Sequence, residues 1–218
     1  MRYRCLVMDH DDTVVQSEQT INYPYFTYIL DQFRPGTTIT LQEYTDGCYN
    51  EGFSEMCRRR YNFTEQELID EYHGWQGYIL DHIPDPYPGI ERILHRQKEE
   101  GGILCVVSHS CNQNITRDYT HHFGMLPDDI YGWDLPEALR KPSPYPIQDI
   151  MKRYGLKPEE ILVVDDMKPG YQMASAAGVP IAFAAWSRQD HPTILKEMSS
   201  LCDFTFHSPQ DLEKFLFE

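Results

Sequence analysis

The chain has 218 residues, 41% hydrophobic and 13% aromatic, with a formal net charge of −15. That length buries a real core, as one domain with an insertion or as two small domains, and the composition excludes general disorder. The negative charge repels a nucleic-acid backbone or an anionic bilayer, so neither a nucleic-acid polymer nor a membrane is an expected partner, and no apolar run approaches the ~20 residues of a membrane span.

Met1-Arg-Tyr-Arg4 leads straight into the apolar run Cys5-Leu-Val-Met8, so no signal peptide is expected. The run reads as a buried parallel strand. It ends in Asp9, Asp11 and Asp12, followed by Thr13. Carboxylates packed this closely repel one another unless a cation sits among them, and strand tips are where open α/β sheets place their ligands. The six cysteines are scattered without a CxxC pair, and Cys5 and Cys105 fall inside strand patterns, so a reduced, cytoplasmic location is expected.

From Ser17 to Phe33 the apolar spacing predicts a helix, with Pro24 drawing its start toward Tyr23. Ile39–Gly47, Asn50–Tyr61 and Thr64–Leu80 read as three more, the last opened by the capping box Thr64-Glu-Gln-Glu67. Residues 16–84 thus form an all-helical block between two regions that carry strands, 1–15 and 85–218. Asp85-Pro-Tyr-Pro-Gly89 marks the return. Beyond it strands and helices alternate: helix Gly89–Glu100, strand Ile103–Val107 ending in Ser108-His109-Ser110, helix Asn112–Phe123, a short strand Asp129–Trp133, helix Pro144–Tyr154, strand Ile161–Val164 ending in Asp165-Asp166, helix Gly170–Ala177, strand Pro180–Ala184, strand Asp203–Phe206 and helix Pro209–Phe217. Such alternation implies an α/β fold: a doubly wound, Rossmann-like parallel sheet with an inserted all-helical domain.

Three predicted strands therefore end in polar residues: Asp9 and Asp11, then Ser108, then Asp165 and Asp166. Lys141 stands on a loop before a helix. If these strands are neighbours, the carboxylates and the lysine converge on one sheet edge and make a site for a hard cation, for which Mg²⁺ with a substrate phosphate is the fitting choice. The hydroxyl and the ammonium suit phosphoryl oxygens.

This ordered set resembles the haloacid dehalogenase-like hydrolase superfamily over almost the whole chain. The superfamily's DxDxT motif matches Asp9-His-Asp11-Asp12-Thr13, its Ser/Thr motif matches Ser108, its lysine motif matches Lys141-Pro142, and its acidic motif matches Asp165-Asp166. Tyr87-Pro-Gly89 is similar to the re-entry sequence of the branch that includes phosphoglycolate phosphatases and β-phosphoglucomutases, which carries a helical cap between the first two motifs. The resemblance implies that Asp9 is a nucleophile forming an aspartyl-phosphate and that Asp11 is the acid/base. Mg²⁺ would be held by the Asp9 side chain, the Asp11 main-chain carbonyl and Asp166, with Asp165 an auxiliary ligand. Ser108, His109 and Lys141 would bind the phosphoryl group. The implied partner is a small phosphorylated metabolite; oligomeric state is left open.

Asp12 departs from the family pattern, which often has glycine there, and its role is unassigned. A calcium loop at Asp9 is set aside, because its sixth and twelfth positions are Val14 and Thr20. His121-His122 reads as a surface pair, and Arg58-Arg59-Arg60 either as a solvated helix face or as a contact for a substrate anion. Asp11 separates the chain from true dehalogenases. The first lysine is Lys98, so the helical block lacks the Schiff-base lysine of a phosphonate hydrolase. Three functional expectations remain: a Mg²⁺-dependent phosphatase acting on a phosphoglycolate, sugar-phosphate or nucleotide type of ester, a sugar-phosphate mutase, and a non-catalytic phosphometabolite-binding or phospho-accepting module.

Overall fold

The computed structural model describes all 218 residues. Six parallel strands form one sheet: β1 Cys5–Met8, β2 Ile103–Val107, β3 Asp129–Tyr131, β4 Ile161–Asp165, β5 Ile181–Ala184 and β6 Phe204–Phe206, in the order β3-β2-β1-β4-β5-β6. The chain builds outward from β1 through β2 to β3, then restarts on the other side with β4. The winding therefore reverses at β1 and β4, and a crevice for a ligand opens at the carboxyl ends of strands at such a point. Register sets those ends level, Met8 pairing with Val106 of β2 and with Val164 of β4.

The inner strands β1, β2, β4 and β5 are buried on both faces, which is why they are continuous apolar runs rather than alternating ones. On one face Leu6, Met8, Leu104, Val106, Leu162 and Val164 pack with α5 (Ile90–Glu99), α6 (Asn112–Phe123) and α10 (Pro209–Phe217). The intervening residues Cys5, Val7, Cys105, Val107, Ile161 and Val163 pack on the other face with α7 (Tyr145–Tyr154) and α8 (Lys168–Ala177). One further helix, α9 (Pro192–Leu201), lies between β5 and β6. The sequence reading passed from strand to strand there, although Pro192 at the helix start and Ile194 and Met198 at helical spacing carried the signal.

By its internal packing the chain divides into two compact units, Met1–Gln16 with Asp85–Glu218, and Ser17–Pro84. Gln16 goes with the first unit, its N–H donating to the Asp85 carbonyl at 2.9 Å. The second unit comprises α1 (Tyr23–Phe33), α2 (Leu41–Glu51), α3 (Phe53–Tyr61) and α4 (Glu65–Leu80) around Phe26, Leu30, Tyr44, Met56, Cys57 and Phe63. One turn of π-helix, Glu18–Asn22, precedes α1, so Pro24 falls in the first turn of α1, where its missing N–H costs nothing. Sequence spacing breaks the second helix at Gly47. The structure carries it on to Glu51, because Met56 and Arg60 pack so closely over Gly47 that a side chain there would collide; the break falls at Gly52, with φ +83°. Capping boxes open α2 at Thr40/Glu43 and α4 at Thr64/Glu67. Arg58 pairs with Glu65 at 2.8 Å and Arg60 with Glu51 at 2.7 Å on the unit's surface. No helix is long and apolar enough to cross a membrane.

Candidate active site

Asp9 is the first residue past β1, and its N–H donates to the Val164 carbonyl at 2.9 Å, which fixes it at the seam between β1 and β4. The chain then turns sharply. The Val14 and Val15 N–H groups both donate to the His10 carbonyl, and the Asp12 N–H donates to the Val15 carbonyl at 2.7 Å. Asp12 takes a left-handed conformation, φ +55°, to close this turn. Asparagine and aspartate tolerate that region best among residues with a side chain, which accounts for an aspartate where the family pattern often has glycine. Trp186 Nε1 pins the turn by donating to the Thr13 carbonyl at 3.2 Å.

Lys141 is buried with its ammonium between two carboxylates, 2.6 Å from Asp9 Oδ1 and 2.8 Å from Asp165 Oδ2. Burial works against the ammonium, but Asp165 and Asp9 outweigh it and hold its pKa above that of an ordinary lysine. Asp165 is further oriented by the Met167 N–H at 2.9 Å, and Gly170 on α8 lies so close that an added side chain would strike its carboxyl. Asp166 accepts from Arg188 Nε at 2.8 Å, and Nη2 of the same guanidinium contacts the same oxygen. The Thr13 hydroxyl lies 3.4 Å from Asp9 Oδ2 and 3.5 Å from Asp166 Oδ1, so its one proton serves one carboxylate at a time.

Oxygens of Asp9, Asp165 and Asp166 all lie within 4.8 Å of one another, a cluster able to hold a metal ion. Burial pushes the Asp165 and Asp166 carboxyls up, and the neighbouring Asp9 charge adds to it, against the pull of Lys141 and Arg188. The charges at the site fit a hard divalent cation. Four buried carboxyl groups, Asp9, Asp12, Asp165 and Asp166, outnumber the two buried cations, Lys141 and Arg188, and a divalent ion would offset the excess.

The structure thus brings Asp9, Lys141, Asp165 and Asp166 together. The Asp11 carboxylate is not among the clustered oxygens; its expected part in holding the metal is through its main-chain carbonyl. Ser108 is buried at the tip of β2, where its hydroxyl accepts from the Ser110 N–H at 3.2 Å. The His109 ring donates from Nε2 to the Lys141 carbonyl at 2.8 Å and so ties the loop after β2 to the lysine. His10 turns its ring away, toward α6, with Nε2 3.0 Å from Asp118 Oδ2; Asp118 also accepts from Arg117 at 2.7 Å. Sequence reasoning missed Arg188, a lone arginine four residues past the β5 tip, because nothing local pairs it with Asp166.

A doubly wound parallel sheet with a carboxylate–lysine cluster at its point of reversal defines a class, the α/β proteins that gather acidic side chains at strand tips around a hard cation. Within that class, residues 6–184 match the model of the haloacid dehalogenase-like hydrolase family, and the chain belongs to this family. Curated relatives include a phosphoglycolate phosphatase of Aliivibrio fischeri, 28% identical over 111 residues covering 50% of this chain and 47% of that protein. Another phosphoglycolate phosphatase, of Haemophilus influenzae, is 25% identical over 119 residues, 53% of this chain and 52% of that protein. The chain matches about half the length of these relatives. Among solved structures, CbbY from Rhodobacter sphaeroides in complex with phosphate superposes with a TM-score of 0.72 at 17% identity, covering 96% of each chain. A conserved haloacid dehalogenase-like protein of Agrobacterium tumefaciens gives 0.78 at 17%, covering 98% of this chain and 97% of that one. These two establish the fold.

Proposed function

We propose that the chain is a Mg²⁺-dependent phosphomonoester hydrolase working through an aspartyl-phosphate on Asp9. The observation that carries this reading is the Asp9 carboxylate held at the tip of β1 by the Lys141 ammonium at 2.6 Å, beside Asp165 and Asp166. One Asp9 oxygen attacks phosphorus as the bond to the ester oxygen breaks, and Asp11 gives that oxygen its proton. Water then attacks the phosphorus of the aspartyl-phosphate, surrenders a proton to Asp11, and phosphate leaves with Asp9 restored. Lys141, the Ser108 hydroxyl and the His109 segment hold the phosphoryl oxygens. Asp9, the Asp11 carbonyl and Asp166, with Asp165 auxiliary, would hold Mg²⁺, which would offset the repulsion between an anionic nucleophile and an anionic substrate.

The substrate is a small phosphorylated metabolite. Two kinds of likeness support this: curated relatives named phosphoglycolate phosphatase, and a CbbY structure of the same fold in complex with xylulose-(1,5)bisphosphate. The net charge of −15 suits a small ligand over a polyanion. The helical unit Ser17–Pro84 is assigned to substrate selection, and the cytoplasm to the site of action. The test is phosphate release from phosphoglycolate, sugar phosphates and nucleotides with Mg²⁺. Asp9→Asn is expected to lower it by on the order of 10³-fold or more. Isomerisation of a hexose 1-phosphate without phosphate release would instead make the chain a mutase.

A further inference from the structure

Arg188 takes no part in the reaction above, yet it is 3% exposed and its guanidinium lies against the metal-site carboxylate Asp166. The same Nη2 that contacts Asp166 stands 3.6 Å from Oδ2 of Asp12, a second buried carboxylate. The turn that Asp12 closes sets the backbone that carries this carboxylate, with φ +55° and its N–H on the Val15 carbonyl. One guanidinium therefore faces two carboxylates, on Asp166 at hydrogen-bond distance and on Asp12 just beyond it.

A divalent ion and a guanidinium sharing Asp166 repel each other, and a buried site screens that repulsion poorly. Arg188 cannot relieve it by losing its proton, because arginine stays charged in proteins. It can relieve it by movement, and Asp12 is the carboxylate within reach. We propose that Arg188 sets the metal affinity of the site: its guanidinium neutralises Asp166 when no metal is bound, and moves onto Asp12 when the ion arrives. Asp12, the member of the first acidic cluster with no part in the chemistry, is the seat that receives the displaced guanidinium. Arg188 is a positioning residue acting through Asp166, and the inference rests on the metal site proposed above.

The test is Mn²⁺ binding, read from the loss of the free-ion electron paramagnetic resonance signal, on the full chain. Arg188→Gln is expected to tighten binding about tenfold, because the competing cation is gone. Asp12→Asn is expected to weaken it about tenfold, because the guanidinium then loses the Asp12 carboxylate as an alternative to Asp166. The double variant distinguishes this from a simple loss of negative charge: with Arg188 absent, Asp12→Asn is expected to change the affinity less than twofold. Equal effects of Asp12→Asn with and without Arg188, or weaker binding in Arg188→Gln, would overturn the proposal. Circular dichroism checks folding, and if Arg188→Gln does not fold, Arg188→Met replaces it in the cycle, removing the charge while filling the buried space. Failure of the wild-type protein to take up Mn²⁺ overturns the metal site itself. Uptake that is lost in Asp166→Asn but indifferent to Arg188 and Asp12 overturns this inference alone.

Discussion

At the scale of single residues, the site is a balance of buried charge. Lys141 holds Asp9 and Asp165 apart by sitting between them, at 2.6 and 2.8 Å, so Lys141→Met leaves two carboxylates facing each other without a cation. Removing one partner from a buried ion pair costs about 3–5 kcal/mol, and urea unfolding at pH 7 is expected to show a loss of that size. The pH dependence follows from the sign of the shift. Without the ammonium the folded-state pKa of Asp165, already raised by burial, rises further above its unfolded value. The folded state then binds protons more tightly than the unfolded one, and the variant recovers stability as pH falls through that raised value. An unfolding midpoint in Lys141→Met that does not improve from pH 7 to pH 5 would contradict this. Asp9, Asp165 and Asp166 are legible in sequence because each directly follows, or closes, an apolar run, and Lys141 by its order among them. Arg188 is not legible, because its partners Asp12 and Asp166 reach it only once β1, β4 and β5 lie side by side.

Single elements show a buried carboxyl away from the site, Glu71 on α4. Burial pushes it up to about 7. Its folded-state pKa exceeds the unfolded value of roughly 4.3, so its contribution favours folding below that lower value and is lost as pH rises through about 7. At 1.36 kcal/mol per unit this amounts to about 4 kcal/mol for the helical unit. Glu71→Gln keeps the shape and removes the titration. Amide exchange in α1 and α4 is expected to slow in this variant relative to wild type at pH 8, with little difference at pH 5; equal protection at pH 8 would show that the carboxyl finds compensation there. No motif announces Glu71, which sits in an amphipathic pattern as one more polar residue. The helices themselves were readable where local chemistry decides them, as at the Thr64/Glu67 cap. They are harder to read where tertiary packing decides, as at Gly47, carried inside α2 by Met56, and at α9, short and following closely on β5.

Across the whole molecule, alternation of strands and helices was enough to read a doubly wound sheet, since only parallel strands need a crossover for each step. The strand order was not contained in that pattern; it depends on which side of β1 each crossover lands. The order places the acidic tips of β1 and β4 together, and a metal bound there links parts of the chain that are far apart in sequence. Mg²⁺ at about 100 times its dissociation constant is expected to stabilise the sheet-containing unit by about 2.7 kcal/mol, a rise in melting temperature of roughly 5–10 °C. Chelation should reverse the rise and Asp166→Asn should abolish it. A calorimetric scan insensitive to Mg²⁺, Mn²⁺ and EDTA alike would count against the metal site.

The central place of β1 also bears on how the chain is made. β1 leaves the ribosome before the other strands of its sheet, and its two neighbours begin only at Ile103 and Ile161. At about 5–20 residues per second, one edge of β1 stays open for roughly 5–20 s and the other for roughly 8–30 s. The contiguous unit Ser17–Pro84 is complete well before either partner appears, so helices fold while the nascent strand waits. Through that interval Cys5-Leu-Val-Met8 is a bare apolar edge followed by Asp9, Asp11 and Asp12. Flanking charges of this kind discourage strand-to-strand stacking. The acidic cluster thus also guards the emerging chain against self-association before it has a sheet to join.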